Sequence, residues 1–248
     1  MFRRQLALLL LIGLWECTSK LFPAWPSAFD VGRVLMTDFR DPPFQMALQG
    51  SLRRMAIGYV LVTLVGVSGG LVLGRFRFLD ELIGSLTVAI HAIPGAAWVP
   101  LSILWFGMTE QAVIFTILLG AVGIVMVNTD SGIRDVPPLI MRAARTMGAK
   151  GVRYFWFVVV PAAIPKIVDG LRLSWAFGWR ALMAGELMIS ASSGSVSGLG
   201  QILSQVAKAK QLDQLLAIMT LIAVIGATID ELIFKRLEHA VRVRWGLA

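Results

Sequence analysis

The chain has 248 residues, of which 57% are hydrophobic and only 15% charged, with a mean hydropathy of +0.76. Soluble domains carry about 25% charged residues, so this composition excludes a soluble globular enzyme and identifies a polytopic membrane protein. The net charge of +8 would suggest nucleic acid in a soluble domain, but in a membrane protein a basic excess reports topology, and no nucleic-acid partner is expected.

Six apolar blocks follow one another, each of about the 17–25 residues that a bilayer span requires. The first covers residues 5–22. Arg3 and Arg4 precede it, yet no small-x-small cleavage site follows, and Trp15-Glu16 before Cys17 does not suit lipid attachment, so a retained span is expected. Glu16 should face protein or snorkel. Cys17, the single cysteine, makes no intrachain disulfide and is read as a packing residue. Residues 29–39, bracketed by Pro23, Pro26, Pro42 and Pro43, put Val31, Val34, Leu35 and Phe39 on one face, which predicts a short interfacial helix on the outer side.

The second block, 55–73, carries Gly66, Gly70 and Gly74 at a spacing that makes one stripe of small residues for close helix packing. A turn with Arg75, Arg77, Asp80 and Glu81 returns the chain on the cytoplasmic side. The third block, 82–106, is interrupted by Pro94-Gly95 and Pro100. Such breaks are tolerated at membrane depth where protein or a water-filled cavity satisfies the freed backbone groups, so this helix is expected to line a pathway. His91 is either a polar group of that pathway or a histidine hydrogen-bonded within the bundle.

The fourth block, 112–127, leads through Asn128-Thr129 and Gly132 into the longest charged stretch between two apolar blocks. There Asp135 as N-cap, Pro137 and Pro138 in the first turn and Gly148 past the end predict one short helix. Ile140, Ala143, Ala144 and Met147 recur at i, i+3, i+4 and i+7 as a small apolar face, and Arg142 and Arg145 point elsewhere. That pattern suits a docking knob better than a span.

The fifth block, 167–189, holds Arg172, Trp175, Trp179, Arg180 and Glu186. A guanidinium within a span is costly and usually paired. Arg180 therefore either meets an anionic solute bidentately or pairs with Glu186 or Asp169. Residues 190–200, rich in Ser and Gly, read as a flexible outer loop. The sixth block, 215–234, runs into a basic tail with Lys235, Arg236, Arg242 and Arg244. In this layout about twice as many basic residues lie inside as outside, which puts both termini in the cytoplasm; Arg33, Arg40, Arg53 and Arg54 run against the rule.

The run from Ala143-Ala144 through Gly148 to Val158, Val160 and Pro161 resembles, over its whole spacing, the EAA loop of bacterial ABC-importer permeases, with Arg142 where the name-giving glutamate would stand. Three further stretches, in the right order, are similar to the same family: Ser51-Leu52-Arg53-Arg54, Pro94 followed by Val99 to Gly107, and Asn128-Thr129 with Gly132-Ile133. The resemblance covers residues 48–237 and leans to the subgroup for alkanesulfonates, taurine, nitrate or bicarbonate. It implies an all-α type I importer fold of five core helices plus an N-terminal helix. The domains would be 1–47, 48–237 and a cytoplasmic tail 238–248. It implies a homodimer in a bacterial inner membrane, two copies of an ATPase inside and a solute-binding protein outside. Ile140, Arg142, Ala143, Ala144, Met147, Gly148 and Pro161 would couple to the ATPase. His91, Pro94, Trp179, Arg180 and Glu186 would lie along the solute pathway.

No phosphate-binding glycine loop, metal-ligand cluster or Ser/His/Asp set is present, and the only histidines are His91 and His239. The chain is therefore expected to be no enzyme and to need no cofactor or metal. An ion-gradient-driven secondary transporter or channel is the alternative, but it would want inverted repeats and mid-membrane acids, and Glu186 is the sole acid well inside a core span.

Overall fold

The computed structural model describes residues 2–22, 25–38, 40–76, 78, 84–193 and 197–245, and all regular structure among them is helical. In chain order the helices are α1 (Phe2–Leu21), α2 (Ala28–Asp38), α3 (Pro42–Arg75), α4 (Ser85–Ala92), α5 (Val99–Phe106), α6 (Glu110–Arg134), α7 (Pro138–Thr146), α8 (Gly151–Tyr154), α9 (Val160–Ser193), α10 (Leu199–Ala209), α11 (Leu212–Ile229) and α12 (Lys235–Arg244). A 3-10 turn, Gly95–Trp98, links α4 to α5. The π turns Phe155–Val159 and Asp230–Phe234 make α8–α9 and α11–α12 continuous rods.

Among the described residues four stretches are long and apolar enough to cross a membrane: Pro42–Arg75, Glu110–Arg134, Gly151–Ile189 and Leu212–Arg244. Two of the six expected blocks fall outside this set. α1 carries Arg3, Arg4, Glu16 and Lys20 within 20 residues, and the third block is broken at Ile93 and Pro94, leaving Gly95–Phe106 as a shorter apolar piece. Large apolar side chains such as Leu64, Leu104 and Val224 face outward, which would be costly in water and is what lipid accepts.

α6 is the central element, lying against both α3 and α9. The glycine stripe of α3 makes the first contact possible. A Cβ on Gly66 would lie 2.6 Å from Cβ of Val125, one on Gly70 2.5 Å from Cβ of Thr129, and one on Gly74 2.6 Å from Cδ1 of Ile133. Without side chains on that stripe, the two backbones close and dispersion contacts replace the hydrophobic drive that lipid does not supply. Met55, Val62, Val113, Ile117, Val125, Trp175 and Leu182 fill the resulting core.

The π turn before α9 has a local cause. Pro161 has no N–H and its ring crowds the carbonyl four residues back, and the N–H of Val160 reaches Phe155 O instead of the α-helical partner. At the far end, α9 continues to Ser193, so residues 190–193 are helix where a loop was expected. α10, also unforeseen, buries Leu199 and Val206 against Phe44 and Ile218. α2 forms as predicted and packs on α11 with Val31 buried. Cys17 is exposed, contrary to its reading as a packing residue. Pro23, Phe39, Arg77, Asp80, Glu81 and residues 194–196 lie outside the described residues.

Candidate functional site

The charged loop between α6 and α9 forms the short helix the sequence predicts, with its start shifted. Asp135 does not cap α7. It ends α6, its N–H donating to Ser131 O at 2.8 Å, and Pro137 takes the cap position. The helix ends in a Schellman arrangement: Ala149 N–H donates to Ala144 O at 3.0 Å and Gly148 N–H to Arg145 O at 3.0 Å, with Gly148 at φ +86°. Only glycine adopts that conformation cheaply.

The apolar face divides in two. Ala144 is buried, and the half-buried Met141 packs against the cluster of Ile133, Val136, Phe155 and Val159. Ala143 is exposed, alongside Leu139 (78% exposed), Ile140 and Met147 (82% exposed). Ala144 thus anchors the helix, correcting its expected place on the presented face, and Leu139 joins the face unannounced. Arg142 is exposed beside them, and Pro161 sits back in the first turn of α9. The outcome is a rigid, non-spanning helix that presents four apolar side chains to whatever lies beyond the membrane end of the bundle.

A second arrangement lies at the broken helix. Pro94 and Arg180 line one cavity of about 420 Å³ with Ile93, Gly95, Phe177 and Ala181. Small residues bring its walls together: a Cβ on Gly120 would lie 2.9 Å from Cβ of Ala181, and one on Gly95 3.1 Å from the same atom. The guanidinium of Arg180 sits 5.1 Å from the Phe177 ring centroid. Neither expected acid meets it. Asp169 lies 3.8 Å from Arg242, and Glu186 is held elsewhere. His91 belongs to α4, upstream of this break, with its side chain outside the described residues.

Trp179 and Glu186 do not line the cavity that holds Pro94 and Arg180. Trp179 is buried, stacked on Trp175 at 5.9 Å and donating its indole N–H to Ile222 O at 3.2 Å. Glu186 is fully buried against Arg54, itself 1% exposed. The carboxylate accepts from Arg54 Nη1, from Ser51 Oγ at 2.8 Å and from Gly200 N–H at 3.0 Å. Ser51 Oγ in turn accepts from Leu199 N–H at 2.9 Å, and Arg54 Nη2 donates to Ser197 O. This latch ties α3, α9 and the start of α10 together. Arg54 in this latch and Arg53, which meets Glu110 at 2.7 Å, are two of the arginines that run against the charge rule, and both are paired. The pairing was not foreseen from Ser51 and Arg54 themselves; two adjacent arginines just before the apolar run from Met55 were the available signal.

Further toward the start of α9, about three turns in, Arg172 pairs bidentately with Asp230, Nε to Oδ1 at 2.8 Å and Nη2 to Oδ2 at 2.9 Å, and reaches Glu238 at 2.6 Å. Glu238 also holds Arg242 at 2.9 Å. The rod carrying the loop helix is thereby fixed to the last span.

Residues 63–243 match the family described as the binding-protein-dependent transport system inner membrane component. A protein of Methanocaldococcus jannaschii designated an ABC transporter permease is 35% identical over 180 residues, covering 73% of this chain and 66% of its own length. The bicarbonate transport system permease protein of Synechococcus elongatus is 28% identical over 74% of this chain and 64% of its own. For the taurine transport system permease protein of Escherichia coli the figures are 28%, 77% and 68%. The match thus spans about two thirds of the length of these curated relatives. Among solved structures, the inward-facing MetNI methionine ABC transporter matches with a TM-score of 0.65 at 18% identity, over 80% of this chain and 96% of that one. This is a likeness of fold.

Proposed function

The chain belongs to the family of binding-protein-dependent transport system inner membrane components, and from that premise we propose that it is the permease subunit of an ATP-driven importer, coupled to a separate ATPase through α7. The observation that carries the reading is the outward face of α7. Leu139, Ile140, Ala143 and Met147 are exposed on a helix too short to span, anchored from beneath by Ala144 and Met141 and stopped by Gly148. An apolar face held this rigidly is suited to a cleft on a protein partner.

In this mechanism nucleotide binding closes the ATPase pair, which carries α7 with it. The rod α8–α9 passes the movement to the cavity at Pro94 and Arg180, and two copies of the chain rock to open it outward. A solute-binding protein delivers the solute from the far side. The free energy comes from ATP bound to the partner, not from chemistry in this chain. Both termini lie in the cytoplasm and the membrane is a bacterial inner membrane.

The solute is a small anion of the sulfonate, taurine, nitrate or bicarbonate kind. What supports this is Arg180, a cation in a cavity-lining position with neither Glu186 nor Asp169 against it, together with relatives named for such solutes. Burial of Glu186 under Arg54 weakens the ion-gradient alternative, since the acid it would titrate is already engaged. Copurification of the tagged chain with its ATPase, with the subunit ratio read by native mass spectrometry, tests the reading. Two permease and two ATPase copies are expected. A chain that moves solute with no ATPase bound would end it.

A further inference from the structure

Two cavities meet where α3, α7 and α8 converge. One, of about 420 Å³, is lined by Arg75, Arg145, Lys150, Tyr154 and Phe155. The other, of about 320 Å³, is apolar, lined by Leu71, Val72, Phe76, Val152 and Trp156, and it shares Arg75 and Phe155 with the first. Aromatic rings position the cations: the Arg75 guanidinium lies 5.7 Å from the Phe155 ring centroid and that of Arg145 5.7 Å from Tyr154. Among the described residues no Asp or Glu lines either cavity. Tyr154 Oη is buried with no hydrogen-bond partner among the described residues, a cost that a bound acceptor would remove.

We propose that these joined cavities bind an anionic phospholipid. The phosphate sits among Arg75, Arg145 and Lys150 and accepts from the Tyr154 hydroxyl, and the acyl chain lies in the groove along Leu71, Val72 and Trp156. The order of the two cavities matches the molecule: Arg75 ends a span, where headgroups lie, and the apolar groove continues along the same helix into the hydrocarbon layer. Because Arg75 belongs to α3 and Arg145 to α7, the lipid bridges the loop helix to the bundle and sets how firmly α7 is held. The proposal needs only that the chain spans a membrane. It stands apart from the importer reading, so its test uses the chain without an ATPase.

The purified chain in uncharged detergent is titrated with phosphatidylglycerol or phosphatidylcholine and bound lipid is read by native mass spectrometry. Phosphatidylglycerol is expected to bind in preference, and R75Q/R145Q/K150Q to weaken it by about ten-fold or more while leaving phosphatidylcholine unchanged. The single variant R145Q, at an exposed position on α7, shows a smaller loss and guards against misfolding of the triple variant. V152W, which fills the groove, weakens phosphatidylglycerol but not inorganic phosphate. Equal phosphatidylglycerol binding by wild type and the triple variant would overturn the proposal and leave the basic cavity to an acidic protein surface. Binding of inorganic phosphate together with indifference of the lipid to V152W would overturn it in favour of a soluble phosphate.

Discussion

Arg54 and Glu186, 132 residues apart in sequence, form an ion pair that is almost wholly removed from solvent. Removing one partner of such a pair strands a buried charge and costs about 3–5 kcal/mol, whereas replacing both with apolar residues costs far less. Glu186→Gln should therefore lower the temperature at which the detergent-purified chain loses its monodisperse elution peak. The double substitution Arg54→Met with Glu186→Met should recover most of the loss. Additive losses would show that the two side chains contribute independently.

Arg180 gives the opposite expectation. It is exposed to a cavity and packs against Phe177, so Arg180→Gln should change thermal stability by no more than about 0.5 kcal/mol. Uptake of the transported anion should fall by about ten-fold or more, in line with a lost charge-assisted bond. Uptake at the wild-type rate would remove Arg180 from the pathway.

The glycine stripe predicts overpacking at one position and tolerance at another. A Cβ on Gly70 would meet Thr129 Cβ at 2.5 Å and the Met126 carbonyl at 2.6 Å, whereas Gly13 has nothing within 4 Å. Gly70→Val should destabilise by about 1–3 kcal/mol, and Gly13→Ala should be neutral or slightly stabilising. The same thermal assay compares them, and a harmless Gly70→Val would mean that α3 and α6 are further apart than described.

At Gly148, φ +86° and open space around the Cα separate backbone from packing effects. Gly148→Val should cost about 1–2 kcal/mol locally, through the left-handed conformation alone. The chain should still insert, but solute-stimulated ATP hydrolysis by the reconstituted complex should drop, because the end of α7 loses its fixed geometry. Hydrolysis and uptake both unchanged would detach Gly148 from coupling.

The elements most legible in the sequence were those fixed by local rules. The proline start and glycine stop of α7, the small-residue stripe of α3 and the break at Pro94 each follow from what one residue type does to its own backbone. The start shifted from Asp135 to Pro137 because α6 ran on through Arg134, and helicity of that kind is set by packing against α3 and α9. Pairings were the illegible part. Nothing local in Arg54 or Glu186 names the other, and the choice between Arg54 and Arg180 is made by which face of α9 meets α3. α10 had a visible signal in Leu199, Ile202, Leu203 and Val206, a helical spacing that begins at the end of the Ser/Gly-rich stretch 190–200 read as loop. Ala144 and Ala143 are adjacent, and only the tertiary packing of α7 decides which one is presented.

The most direct test of the account is to charge the presented face of α7. Ile140→Glu with Met147→Glu alters two exposed side chains, so the chain should keep its elution profile and melting temperature. Its ATPase should no longer copurify, and uptake should fall to background. A doubly substituted chain that retains its ATPase and transports at the wild-type rate would contradict the assignment of α7 as the coupling surface.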